Sequence, residues 1–172
     1  MSARWVLGLV ASLCLAACSP SLNWRTVPVE QLVTLLPCKP DHAERQVELG
    51  GVQRTLSMWG CEADGALFAV SHLRTQATAL PGQVIALWQL AALRNMQAAT
   101  WQALPFKAPM LAGQTAVPGT MLRATGKRAD GQAVQAQLAW FSRGADVYHL
   151  AVYAPELAPA LTEPLFTELH WQ

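Results

Sequence analysis

After an apolar run over residues 5–13, the hydrophobic positions settle into two rhythms, one of period two and one close to 3.6. The first is strand-like. Arg45-Gln46-Val47-Glu48-Leu49 alternates polar with apolar, Gly50-Gly51 turns the chain, and Thr55-Leu56-Ser57-Met58 alternates again. Glu62-Ala63-Asp64-Gly65 is a second turn, and a strand resumes over 66–73. Residues 33–36, ahead of Pro37, predict an earlier strand. Later, 120–126, 134–140 and 147–153 predict a meander with turns at Asp130-Gly131 and at Arg143-Gly144-Ala145-Asp146.

The helical rhythm occupies 82–101. Pro81 precedes it, and Ile85, Trp88, Ala92, Met96 and Ala99 recur at spacings of three and four, the stripe of a helix that packs on a sheet. A second helix is expected over 158–170, kinked or restarted at Pro164. Residues 103–118, with three prolines, read as an irregular connection. The expected fold class is α+β: an antiparallel sheet of about six strands with one long helix and a C-terminal helix packed on it.

The N-terminus changes the picture of where the protein resides. Arg4 followed by the short apolar run over 5–13 has the form of a secretory signal, too short to span a bilayer comfortably. The run ends in Leu15-Ala16-Ala17-Cys18, which resembles the lipobox of bacterial lipoproteins. That resemblance covers the first twenty residues. It implies cleavage after Ala17 and a diacylglycerol thioether on Cys18, usually with an acylated amine such as a palmitate amide. It also implies that Ser19, where Asp would favour inner-membrane retention in enteric-type bacteria, sends the chain to the outer membrane, facing the periplasm. Two or three acyl chains anchor far more firmly than one. The expected organisation is therefore a signal peptide over 1–17, a lipidated tether over 18–23 and a single globular domain over 24–172.

A second resemblance rests on layout. "LLPCKP", paired strands with "GCEADGALFAV", a long helix, a three-stranded meander and a closing "LFTELHW" are similar in order to PsbP-like α/β/α domains, a layout found in bacterial envelope lipoproteins of unknown activity. It implies a non-enzymatic accessory or assembly role. No metal-ligand motif of that family can be matched to a residue of this chain.

Loss of residues 1–17 leaves 155 of the 172 residues, enough for one well-buried core. Arg4 leaves with the signal, so 11 basic residues balance 11 acidic ones, and no run of like charge appears. That composition excludes nucleic acid and a polybasic membrane patch as partners. Of the four cysteines, Cys14 goes with the signal and Cys18 takes the lipid; Cys38 and Cys61 remain. In an oxidising compartment these two are expected to pair, closing a loop of about 24 residues that is worth roughly 3 kcal/mol. A redox or metal role is the alternative, but Pro37-Cys38-Lys39-Pro40 is not the Cys-x-x-Cys such a site prefers.

Candidate chemistry is sparse. There is no nucleophile elbow around Ser57, Ser71 or Ser142, and Ser71 and His72, adjacent in a strand, must point to opposite faces. His42, His72, His149 and His170 are isolated; Asp41-His42 beside Cys38 reads as a solvated turn rather than a metal site. Glu62 and Asp64 read as a hairpin tip rather than a paired-carboxylate site. Gly50-Gly51 lacks the Lys-Ser/Thr of a phosphate loop. No catalytic residue, cofactor or metal ligand is therefore expected. Trp24, Trp59, Trp88, Trp101, Trp140 and Trp171 remain in the mature chain and suit a core or a contact surface; Trp59 could face either layer. The expected function is a non-catalytic envelope lipoprotein, an accessory or assembly factor that binds a protein partner at the membrane surface. The alternative is a binder of a small apolar ligand or lipid between helix and sheet. A large apolar cavity favours the second and a flat exposed aromatic patch the first.

Overall fold

The computed structural model describes residues 21–76, 79–111 and 119–172. The signal segment and Cys18 lie outside the described residues. The elements are β1 (Arg25–Val29), β2 (Leu32–Leu36), β3 (Asp41–Leu49), β4 (Val52–Ala63), β5 (Ala66–Arg74), α1 (Pro81–Asn95), β6 (Thr100–Leu104), β7 (Thr120–Lys127), β8 (Ala133–Arg143), β9 (Asp146–Ala154), α2 (Pro159–Thr167) and β10 (His170–Trp171). The class is mixed α+β, as the two rhythms predict. The sheet is not a single one of about six strands. A seven-stranded antiparallel sheet has the order β3-β4-β5-β9-β8-β7-β6, and a separate three-stranded sheet has the order β1-β2-β10.

The large sheet carries a core on each face. Helix α1 covers one face, where Leu56, Leu73, Leu138, Trp140 and Ala151 gather around Val84 and Trp88. The small sheet and α2 cover the other, where Val29, Leu32, Phe68, Phe141, Leu150 and Leu165 meet. This explains the burial of β9: a strand covered on both faces loses the apolar–polar alternation that a half-exposed strand keeps. The edge strand β3 is exposed along nearly its whole length and carries Asp41, Glu44, Arg45 and Glu48, charges that discourage further strand pairing.

The turns follow from residue type. Asp64 and Gly65 both adopt positive φ (50° and 70°) and close the β4–β5 hairpin tightly, as the Asp-Gly pair predicts. Pro28 sits in β1, at the edge of the small sheet, where the missing N–H costs no interior hydrogen bond.

Three elements depart from the pattern. Helix α1 stops at Asn95 rather than near 101. Gln97 takes φ 46°, and the chain then reverses onto β7: Lys127 N–H donates to the Met96 carbonyl (2.7 Å) and Ala99 N–H to the Thr125 carbonyl (2.9 Å). Residues 100–104, expected as helix end and connection, become β6 because the open edge of β7 pairs with them from Thr100–Thr125 to Leu104–Met121. The stripe on α1 is also turned slightly: Val84 and Trp88 are the buried pair, while Ile85 and Ala92 are half-buried. Helix α2 continues through Pro164 without a break, held by buried Leu161, Leu165 and Phe166.

Cys38 and Cys61 form a disulfide. It joins the chain just beyond β2 to β4, and so ties the small sheet covalently to the large one. Trp59 packs toward the small-sheet core and stacks on His42, with centroids 4.4 Å apart.

Candidate functional site

The strand period places Leu56 and Met58 of β4, Ala69 and Ser71 of β5, and His149 and Ala151 of β9 on the α1 face of the large sheet. The C-terminal half of α1, from Trp88 to Met96, lies above them. Between the two is a cavity of about 400 Å³. Its floor and walls are mostly apolar, and its exposed rim carries Arg45, Glu62, Asn95, Lys127 and Arg128. Among the described residues, none of the three rim bases forms an ion pair; the pairs present are His72–Asp146 and Arg74–Asp146. The volume falls in the range of roughly 300–1,000 Å³ typical of small-ligand sites.

His149 is, with Ser71, a polar residue of the lining beneath the rim. It lies opposite Ser71 on β5 and opposite Trp140 on β8. Its ring stacks on Trp140 (centroids 4.6 Å, planes 18° apart), and Trp88 tilts against it at 5.1 Å. Only 7% of the residue is exposed, and its Nε2 is buried with no hydrogen-bond partner among the described residues. Burial pushes its pKa down from 6.5 to about 3, because an imidazolium there would lose its water without gaining a counter-charge. The imidazole is therefore neutral at physiological pH. It offers one donor or acceptor and no charge. Tyr153, also on this wall, is pushed up to about 12 by burial and stays a phenol.

The other sequence candidates lie elsewhere. Ser71 faces the cavity, whereas His72 points to the opposite face and packs on Tyr148. His72 Nε2 meets Asp146 Oδ1 at 2.9 Å, and Arg74 reaches the same oxygen at 3.7 Å. This is the one place where a predicted histidine approaches a carboxylate among the described residues, and neither His72 nor Asp146 lines the cavity. Asp41 and His42 are exposed on edge strand β3, and His170 is exposed in β10. Glu62 reaches the cavity rim, while Asp64 forms the turn. Ser57 donates to Glu44 Oε1 at 2.9 Å. No group of three His, Cys, Asp or Glu side chains suited to a metal exists among the described residues. No described helix is long and apolar enough to cross a membrane.

A second, smaller cavity of about 300 Å³ is polar, lined by Gln46, Gln53, Arg54, Thr55, Arg74 and Gln76. Arg54 is buried there, and its Nε and Nη1 have no partner within the described protein.

Sequence reasoning missed the Trp88–Trp140–His149 cluster. The available signal was a histidine inside the otherwise apolar run Val147-Tyr148-His149-Leu150-Ala151-Val152, two-sidedly buried and therefore costly unless used.

No known family matches the chain, and no curated protein is similar to it. Among solved structures, the crystal structure of PA94, a protein of unknown function from Pseudomonas aeruginosa, matches 84% of this chain and 92% of its own, at 13% identity and a TM-score of 0.41.

Proposed function

We propose that this chain is a lipid-anchored envelope protein that holds a small, largely apolar ligand between α1 and the seven-stranded sheet. The observation that carries this reading is the 400 Å³ cavity, mostly apolar below and polar at its rim, with the neutral imidazole of His149 among its lining. A helix packed only for stability closes down on its sheet to crystal-like density. Here α1 does so at Val84, and the cavity opens beside Trp88, Ala92 and Met96. The protein does not act as a catalyst in this reading: His149 has no titratable partner among the described residues and too low a pKa to serve as a base near neutral pH.

The address belongs to the same proposal. Leu15-Ala16-Ala17-Cys18 supports lipidation of Cys18, and Ser19 supports an outer-membrane destination with the domain in the periplasm. The PsbP-like layout also stays a proposal, supported by helix α1 on one face of the sheet and α2 on the other. A protein partner is the second reading. The outward side of α1 leaves Leu80, Leu87 and Leu90 exposed, enough for a contact surface. Trp101, 59% exposed on edge strand β6, is isolated from them in sequence and is not an aromatic patch.

Purification from the native membrane in mild detergent, followed by organic extraction and mass spectrometry, tests the ligand reading. A near-stoichiometric small amphiphile is expected, and it should be lost when Ala92→Trp fills the cavity. Equal recovery of that amphiphile with the filled variant would place it elsewhere and overturn the reading.

A further inference from the structure

Leu67 and Phe68 are neighbours in β5 and point to opposite faces of the large sheet. Phe68 carries Trp24 on the small-sheet side, edge-on with ring centroids 5.8 Å apart, whereas Leu67 lines the cavity on the α1 side. The N-terminal segment therefore leaves the domain at the end of the sheet where the cavity opens. From this juxtaposition we infer that this end docks on the membrane that carries Cys18, with the mouth of the cavity against the bilayer, and that the ligand is an acyl chain of a phospholipid in that leaflet. The inference rests on the lipid-anchor and ligand-pocket readings.

A chain of links fixes the N-terminal segment there. Asn23 N–H donates to the Pro37 carbonyl (2.8 Å), and Cys38 is bonded to Cys61 near the end of β4, with Cα atoms 6.0 Å apart. Glu62, the next residue, is on the cavity rim. Cys18 lies three residues before Ser21, the first described residue, so the lipid is at most about 11 Å of extended chain from the domain. The 12 residues of β4 carry the sheet roughly 40 Å away from that end, at ~3.3 Å per residue. Contact with the bilayer by the opposite end alone is beyond the tether's reach. Of the exposed residues that line the cavity, all but Arg45 belong to the anchored end: Glu62 and Leu67 flank the β4–β5 turn, Asn95 ends α1, and 127–129 leave β7. The opposite end, with the Gly50-Gly51 turn, Val52 and Leu80, contributes no residue to this cavity. At the anchored end Lys127 and Arg128 are offset by Glu62, Asp64 and Asp130, so the lipid anchor and not charge attraction supplies the contact. Beneath the mouth, Leu56, Met58, Met96, Val134 and Ala151 offer an alkyl chain contact and no side-chain hydrogen bond. A mouth held against the bilayer is screened from solutes of the periplasm, whereas phospholipid chains are presented to it at high local concentration.

Photolabelling of the purified lipidated protein tests this, after its reconstitution into vesicles of phosphatidylethanolamine and phosphatidylglycerol. Two phosphatidylcholine probes are used, one with a diazirine in the head group and one with a diazirine at the end of an acyl chain; labelled peptides are mapped by mass spectrometry. Leu67 and Val52 are equally exposed, 37% each, but lie at opposite ends of the sheet, and Leu80 is 64% exposed. The head-group probe should label the peptides holding Leu67 and Ala129 at least fivefold more than those holding Val52 and Leu80. The chain-end probe should label the cavity wall over 56–58 and 88–96, and Ala92→Trp should cut that label at least fivefold while leaving the head-group label in place. Retention of the head-group label, with unaltered circular dichroism, separates a filled cavity from a lost fold. Head-group label spread evenly over the two ends, concentrated at Val52 and Leu80, or absent altogether would overturn the docking. Head-group label at the mouth without chain-end label in the cavity would overturn the phospholipid as ligand. If an amphiphile is still recovered on purification and lost in Ala92→Trp, the pocket reading stands in that case; if none is recovered, both fall.

Discussion

Trp140 and His149 face each other across strands β8 and β9 and stack ring on ring, centroids 4.6 Å apart, beneath the helix α1. The stack accounts for a histidine at the centre of a sheet covered on both sides. Its flat face packs on the indole, and its Nε2 is buried with no hydrogen-bond partner among the described residues.

Burial holds the His149 pKa near 3, against 6.5 for the same group in the unfolded chain. Above pH 6.5 both states are neutral, and the group does not affect stability. Below it the unfolded chain takes up a proton that the folded chain refuses, so stability falls with pH down to about 3. The slope from this residue alone is about 1.4 kcal/mol per pH unit. His149→Leu should therefore lose roughly 3 kcal/mol less than the wild type between pH 7 and pH 4, measured by urea unfolding at each pH. Parallel pH profiles for the two proteins would contradict this.

Gly126→Ala should destabilise the fold by about 1–3 kcal/mol. A Cβ at this position would stand 2.2 Å from the Met96 carbonyl oxygen, which is backbone and cannot swing aside. The clash falls where the end of α1 is hydrogen-bonded to β7 through Lys127. Gly131→Ala is the contrasting change: open space surrounds it, and only its positive φ opposes a side chain. Denaturant midpoints should rank Gly126→Ala below Gly131→Ala, and the reverse order would refute the packing argument.

Replacing both Cys38 and Cys61 with Ser should cost about 3 kcal/mol, the loop-closure value for a separation of 23 residues. The loss should be cooperative, because the bridge links two sheets rather than two turns of one element. A non-reduced digest should contain the linked peptides. Full alkylation of both thiols in folded, oxidised protein would refute the bridge.

Cys18→Ser should release the protein from the membrane. Fractionation of cells should move the variant from the membrane pellet to the soluble periplasmic extract. A variant that pellets as the wild type does would show that another feature holds it.

The elements legible from sequence are those whose period and punctuation agree. Strands β4 and β8 announce themselves by alternation, β5 and β9 by apolar runs bounded by Asp-Gly or Gly-containing turns, and α1 by Trp88 and its spacing. The opposite orientations of Ser71 and His72 follow from strand geometry alone. Strands β1, β6 and β10 were not legible. Thr100-Trp101-Gln102-Ala103-Leu104 has helix formers and no buried face, and it is a strand because the edge of β7 stands open beside it. His170–Trp171 is too short to show any period and pairs with β2 only once α2 has brought it there.

What the sequence by itself determined is local: the period of each segment, the turns, a lipobox-like start and two cysteines with no other assignment. These depend on neighbours within a few residues, where covalent geometry limits the choices. What only the tertiary structure decided is which edges meet, and what stands over them. The cavity draws Arg45, Trp88, Lys127 and His149 from four separate elements. Sequence period says which way a side chain faces. It carries no information on the distance to the layer above, and that distance separates a packed core from a binding site.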